Sequence, residues 1–131
     1  MSLWNFLFGS GESGQLSRNA LSIDRMMVQK KWTEILELLK LGGPSRFRSA
    51  IIEADKLLDY CLQRRGFPGN NLGERLKFAR KYMKWEIYDL AWKAHKVRNK
   101  IVHDYESEVL YWEAEEAIKR FEKVLKELGG L

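Results

Sequence analysis

The chain has 131 residues, enough for one domain with a core of its own and too few to divide into two. Hydrophobic residues make up 45% of it and charged residues 31%, a balance that excludes an intrinsically disordered chain. The net charge of +5 is compatible with a polyanionic partner such as RNA but does not by itself select one.

Residues 1–19 read as a flexible N-terminal tether with an apolar tip. Leu3, Trp4, Phe6, Leu7 and Phe8 are followed by the run Gly9-Ser10-Gly11-Glu12-Ser13-Gly14. The tip falls short of the about 20 apolar residues that a bilayer span needs, and it lacks the basic start of a secretory signal. It reads as a loose tail, as a tail that docks on its own bundle, or as a contact for a membrane surface or partner.

Residues 20–131 read as an all-α, four- to five-helix up-down bundle. Ile23, Met26, Met27, Ile35, Leu38 and Leu39 predict a helix over 21–41, which Gly42-Gly43-Pro44 stops. Phe47, Ala50, Ile51, Ala54, Leu57, Leu58, Cys61 and Leu62 predict a second over 45–65, ended by Gly66. Asn71, three residues before Glu74, predicts the start of a third helix near Leu72, with Leu76, Ala79 and Met83 on its apolar face. Neither glycine nor proline marks a join near Lys84. A fourth helix is expected over 86–103 on the stripe Leu90, Ala94, Val97 and Ile101. The last is expected to be capped by Ser107 and to carry Leu110, Ala114, Ala117, Phe121, Val124, Leu125 and Leu128. Short connections favour antiparallel neighbours.

Cys61 is the one cysteine, so an intrachain disulfide and a cysteine-built zinc site are excluded. A reducing, cytoplasmic compartment is the expected setting. Its place in an apolar stripe makes Cys61 a buried thiol; a nucleophile is the sharper alternative.

Chemistry is concentrated in 94–105. His95, Asn99 and His103 lie four apart, which on a helix makes one polar column, and Arg98 flanks it. Lys93, Lys96 and Lys100 form a basic edge, with Lys96 and Lys100 as candidate substrate contacts. An imidazole moves protons near neutral pH and a guanidinium grips a phosphate by two parallel hydrogen bonds. Together they are a minimum kit for cleaving a phosphodiester. A merely solvated basic face is the bland alternative. His95 and His103 are separated by about 12 Å of helical rise, too far to share one metal ion. Tyr82, Trp85 and Tyr88 beside Lys81 and Lys84 suggest a stacking surface for unpaired bases; core or dimer packing is the default for helical aromatics.

The stretch Arg98-Asn99-Lys100-Ile101-Val102-His103 at the end of the penultimate helix resembles the Arg-x4-His signature of the HEPN superfamily. His103-Asp104-Tyr105 is similar to the His-x-Tyr extension of HEPN toxins paired with minimal nucleotidyltransferase antitoxins. The motif covers eight residues; the order of the helices extends the likeness loosely over most of the chain. The resemblance implies an endoribonuclease that needs no metal or other cofactor and dimerises so that two motif copies face one another. It implies His103 as general base or acid, Arg98 as the group that stabilises phosphate charge, and Asn99 as the orienting residue. Tyr105 matches the tyrosine that a nucleotidyltransferase-type antitoxin modifies. His95 and Glu53 are accessory candidates, Glu53 because some members use an acid from an earlier helix. One His per chain supplies one proton-transfer group, and a two-fold axis supplies the second.

Two other function classes stand beside that reading. One is a catalytically silent HEPN-like module that binds RNA, a nucleotide or a protein. The other is a membrane-peripheral adaptor held by Trp4, Phe6 and Phe8.

Overall fold

A computed structural model describes residues 22–131 apart from Tyr105 and Ser107. The expected tether over 1–19, the start of the expected first helix, the modification candidate Tyr105 and the expected cap Ser107 therefore lie outside the described residues. Among the described residues there are five α-helices and no strand. None of these helices is long and apolar enough to cross a membrane.

Helix α1 spans Arg25–Leu41. It begins later than the apolar pattern suggests because Asp24 caps it, its Oδ1 accepting from the Met27 amide at 3.0 Å. Gly42 and Gly43 take positive φ values of 79° and 99° and reverse the chain in two residues. Pro44, whose missing amide needs no partner in a first turn, opens α2, Pro44–Arg64. Gly66 at φ 90° ends that run, and the Phe67 amide returns to the Leu62 carbonyl.

The loop that follows is pinned from both sides. Arg75 donates through Nε to Asp59 at 2.8 Å and through its terminal nitrogen to the Phe67 carbonyl at 3.0 Å. Asn71 caps α3, Leu72–Ala79, accepting from the Glu74 amide at 2.9 Å as its spacing predicts. The chain then tightens into a 3₁₀ turn, Arg80–Tyr82, and Met83 is extended and buried. The join near Lys84 is thus a real break, made by Met83 anchoring in the core rather than by glycine or proline.

Helix α4 spans Trp85–His103 and α5 spans Tyr111–Glu127. The last helix starts beyond Ser107, with Leu110 at its N-cap and no side-chain cap bond. Cross-links fix the directions of the long helices. The amide before α1 donates to Tyr60 near the end of α2. Arg48 near the start of α2 donates to the carbonyl of Ile101 near the end of α4. Lys100 pairs with Glu113, and Lys84 with Glu127, joining opposite ends of α4 and α5. The four long helices therefore alternate in direction, and α2 is packed by every other helix.

The core is correspondingly built around α2. Ile51, Ala54, Leu58, Cys61 and Leu62 are sealed from solvent against Val28, Ile35, Leu76, Phe121 and Leu125. Burial pushes the Cys61 thiol up to about 12, against the pull of Arg65, so it is an inert packing group rather than a nucleophile. Arg65 in turn donates to the Leu128 carbonyl at 3.0 Å and fastens the end of α5 to the end of α2.

Candidate functional site

The apolar stripe of α2 contains one carboxylate. Asp55 is only 4% exposed, and burial of a charge is tolerated only when partners replace water. His95 on α4 is the first partner, its Nδ1 lying 2.8 Å from Asp55 Oδ1. Arg98, one turn further along α4, brings Nε to 3.5 Å from Asp55 Oδ2. That contact is ionic rather than a hydrogen bond, since Nε is sealed from solvent yet makes none. Asn99 closes the ring: its Oδ1 accepts from a terminal nitrogen of Arg98 at 3.0 Å, and its amide nitrogen lies 3.4 Å from His95 Nε2.

The directions of these bonds agree with one another. Asn99 must present oxygen to Arg98, which donates only, and therefore presents its NH2 to His95. Nε2 then accepts, and Nδ1 carries the proton donated to Asp55. Three side chains from two helices thus lock one guanidinium in place.

This network forms one wall of a cleft of about 680 Å³ between α2, α3 and α4. Gly73 in the first turn of α3 faces it across the gap. A Cβ built there would lie 3.7 Å from Trp92 Cη2 and 3.8 Å from His95 Nε2. Lys56, Lys77, Glu74 and Asn70 complete the rim. Arg98, 35% exposed at its side chain, is the cation fixed in the wall of this cleft.

No protein-family model matches the chain, and no curated protein or solved structure matches it either.

The candidates named from sequence fall into two groups. Arg98, Asn99 and His95 come together at the cleft, His95 as a buried residue, 7% exposed, rather than as part of a solvated column. The apolar face of α4 is rotated from the expected stripe: Ile87, Ala91, Ala94, His95 and Ile101 point inward, while Leu90 and Val97 are half-buried. The reason is Asp55, which lets an imidazole take an inward position. His103 does not line the cleft; it ends α4, exposed and with no hydrogen bond or ion pair to another described residue. Lys96 is exposed, and Lys100 reaches across to Glu113 at 3.8 Å; neither borders the cleft. Glu53 pairs with Lys56 at 3.4 Å and borders a separate small hollow of about 150 Å³ with Met27 and Tyr60. The acid that α2 delivers to Arg98 is Asp55, two residues on. Its signal was in the sequence: a carboxylate four residues after Ile51 and three before Leu58, inside an apolar stripe.

The end of α4 has a different character. Val102, Leu110, Tyr111 and Trp112 are all exposed there, Trp112 to 62%. Tyr111 packs at a tilt on Phe47, ring centroids 5.7 Å apart, and its hydroxyl donates to Glu115 at 2.5 Å, which lowers the Glu115 carboxyl and raises the Tyr111 phenol. The ring is therefore held outward rather than folded away. No group of three His, Cys, Asp or Glu among the described residues is arranged to hold a metal ion.

Proposed function

We propose that the chain is a metal-independent endoribonuclease of HEPN type whose working site is composed by two copies. The observation that carries this reading is the fixation of Arg98 by Asp55 and Asn99 at an open cleft, with His103 further along the same helix in no hydrogen bond or ion pair with another described residue. A guanidinium already held in position stabilises charge on a phosphate without reorganising during the reaction. Asn99 keeps Arg98 in orientation, and the Asp55–His95 pair keeps Asn99 in orientation.

Two copies follow from helix geometry. Five residues separate Arg98 from His103, a rise of about 7.5 Å and a rotation of about 140°, so one copy brings at most one imidazole to the side of a phosphate held by Arg98 and cannot supply both base and acid. A second copy docked on the exposed Val102, Leu110, Tyr111 and Trp112 surface brings a second His103 to the first Arg98. One His103 then takes the proton of a ribose 2′-hydroxyl as its oxygen bonds to phosphorus. The other protonates the departing 5′-oxygen as the P–O5′ bond breaks. A 2′,3′-cyclic phosphate and a 5′-hydroxyl result. In a toxin–antitoxin pair, Tyr105 is the residue a nucleotidyltransferase partner modifies to silence this site.

RNA incubated with the protein in excess chelator is the test. Cleavage is expected, with Arg98→Ala and His103→Ala each losing about a hundredfold or more. Full activity in both variants sinks the reading. One observation favours a second reading, a silent module that binds RNA or a nucleotide without turnover: His103 stands outside the cleft that holds Arg98. Binding that is unaffected by His103→Ala, with no cleavage in the parent, selects it.

A further inference from the structure

The cleft is larger than gripping a phosphate requires. At about 680 Å³ it has room for a whole nucleotide, and its walls differ from side to side. On one side is Trp92, half-buried, its ring steeply inclined to those of Tyr88, 6.3 Å away between centroids, and His95, 5.8 Å away. On another is Arg98, its guanidinium already ordered, and near it Lys77, exposed and in no ion pair with a described residue. Glu74 borders the same space, and its carboxylate holds only two contacts of 3.5 Å, both from Asn70.

Gly73 adds an independent observation. It is the second residue of α3, where the helix itself does not call for a glycine. Its φ is not positive, and an added Cβ would stand in contact with Asn71 Oδ1 at 3.4 Å, Trp92 Cη2 at 3.7 Å and His95 Nε2 at 3.8 Å. Gly73 also borders the cleft, so a side chain longer than a methyl group there would reach into it or press on Trp92 and His95.

We infer that the cleft seats one unpaired guanine nucleotide of a single-stranded RNA, base on Trp92 and phosphate at Arg98. This deepens the ribonuclease reading by naming where the residue beside the scissile phosphate goes. A flat indole stacks any base, so discrimination must come from the edge. Guanine presents two adjacent N–H donors, N1–H and the 2-amino group, to a single carboxylate, and Glu74 is the carboxylate free to accept them. Adenine, cytosine and uracil have no such donor pair.

The test is calorimetric titration of the intact chain with guanosine, adenosine, cytidine and uridine 5′-monophosphates, with ribose 5-phosphate as the baseless control. GMP is expected to bind best, and ribose 5-phosphate weaker by about tenfold or more, the scale of one stacked base. Gly73→Leu, which fills the gap, is expected to weaken GMP binding by about tenfold or more and to raise the KM for RNA. Gly73→Ala gives a smaller change in the same direction with an unchanged or higher melting temperature, so a folding defect is separable. Glu74→Gln, still able to serve in the first turn of α3, is expected to erase the preference for GMP over AMP. Equal binding of GMP and ribose 5-phosphate, or wild-type GMP binding by Gly73→Leu, overturns the inference. GMP binding that depends on Gly73 and Glu74 in a protein that leaves RNA uncut keeps the nucleotide seat and ends the ribonuclease reading. RNA cleavage with no nucleotide held in the cleft does the reverse.

Discussion

The two halves of α4 differ in how their polar groups are satisfied. Midway along, Asp55, His95, Arg98 and Asn99 satisfy one another almost completely and are largely withdrawn from water. At the C-terminal end, His103 is exposed, and Val102, Leu110 and Trp112 present apolar surface to solvent. The first region is preorganised by the fold itself. The second is complete only when something docks on it. A site that spans both takes its fixed charge from within one chain and its mobile proton carrier from the edge.

Stability measurements give the strongest separation of the two regions. Asp55→Ala strands His95 and Arg98 in a buried setting and is expected to lose about 3 kcal/mol in chemical denaturation. His103→Ala is expected to change stability by less than about 0.5 kcal/mol in the same assay. If both variants unfold alike, the contrast between the regions is lost. A double variant with His95→Ala should cost less than the sum of the single changes, because the two share one bond.

Next in size is the docking surface. Trp112→Glu is expected to leave the melting temperature near that of the parent while shifting sedimentation from dimer to monomer and abolishing cleavage. A parent chain that sediments as a monomer at all concentrations, or a variant that stays dimeric, removes the composite site. Asn99→Ala should have a milder effect, about tenfold on cleavage with stability nearly kept, since Arg98 retains Asp55 but loses its orienting amide. Asn99→Ala losing as much as Arg98→Ala would mean that Asn99 touches substrate.

The smallest expected effect lies outside the contrast and controls for it. The Cys61 thiol is raised from 9.0 to about 12 by burial. The unfolded chain therefore gives up this proton first, and the stability that Cys61 contributes is present below pH 9.0 and falls as pH rises toward about 12. Denaturation of Cys61→Ala against the parent over that range should show the difference narrowing as pH climbs. A constant difference contradicts a buried neutral thiol.

The helices were legible because their signals are local. Spacing of apolar residues placed α2, the Asn71 cap placed α3, and Gly42-Gly43-Pro44 placed the first reversal, all within a few residues. Ends set by longer-range contacts were not legible. α5 begins at Tyr111, whose ring settles against Phe47, and no cap residue announces that.

The candidate site divides in the same way. Arg98, Asn99 and the two histidines were visible as residue types at helical spacing, because chemistry belongs to side chains and spacing to one helix. The sequence by itself determined a helical bundle with a polar segment near the end of α4. Which of those polar groups turn inward depended on Asp55, 40 residues earlier in the chain than His95. Only the packing of α2 against α4 brought that carboxylate to the imidazole, and only the approach of α3 turned the pair into the wall of a cleft. A buried charge is stable solely where its partner arrives, and where it arrives is decided in three dimensions.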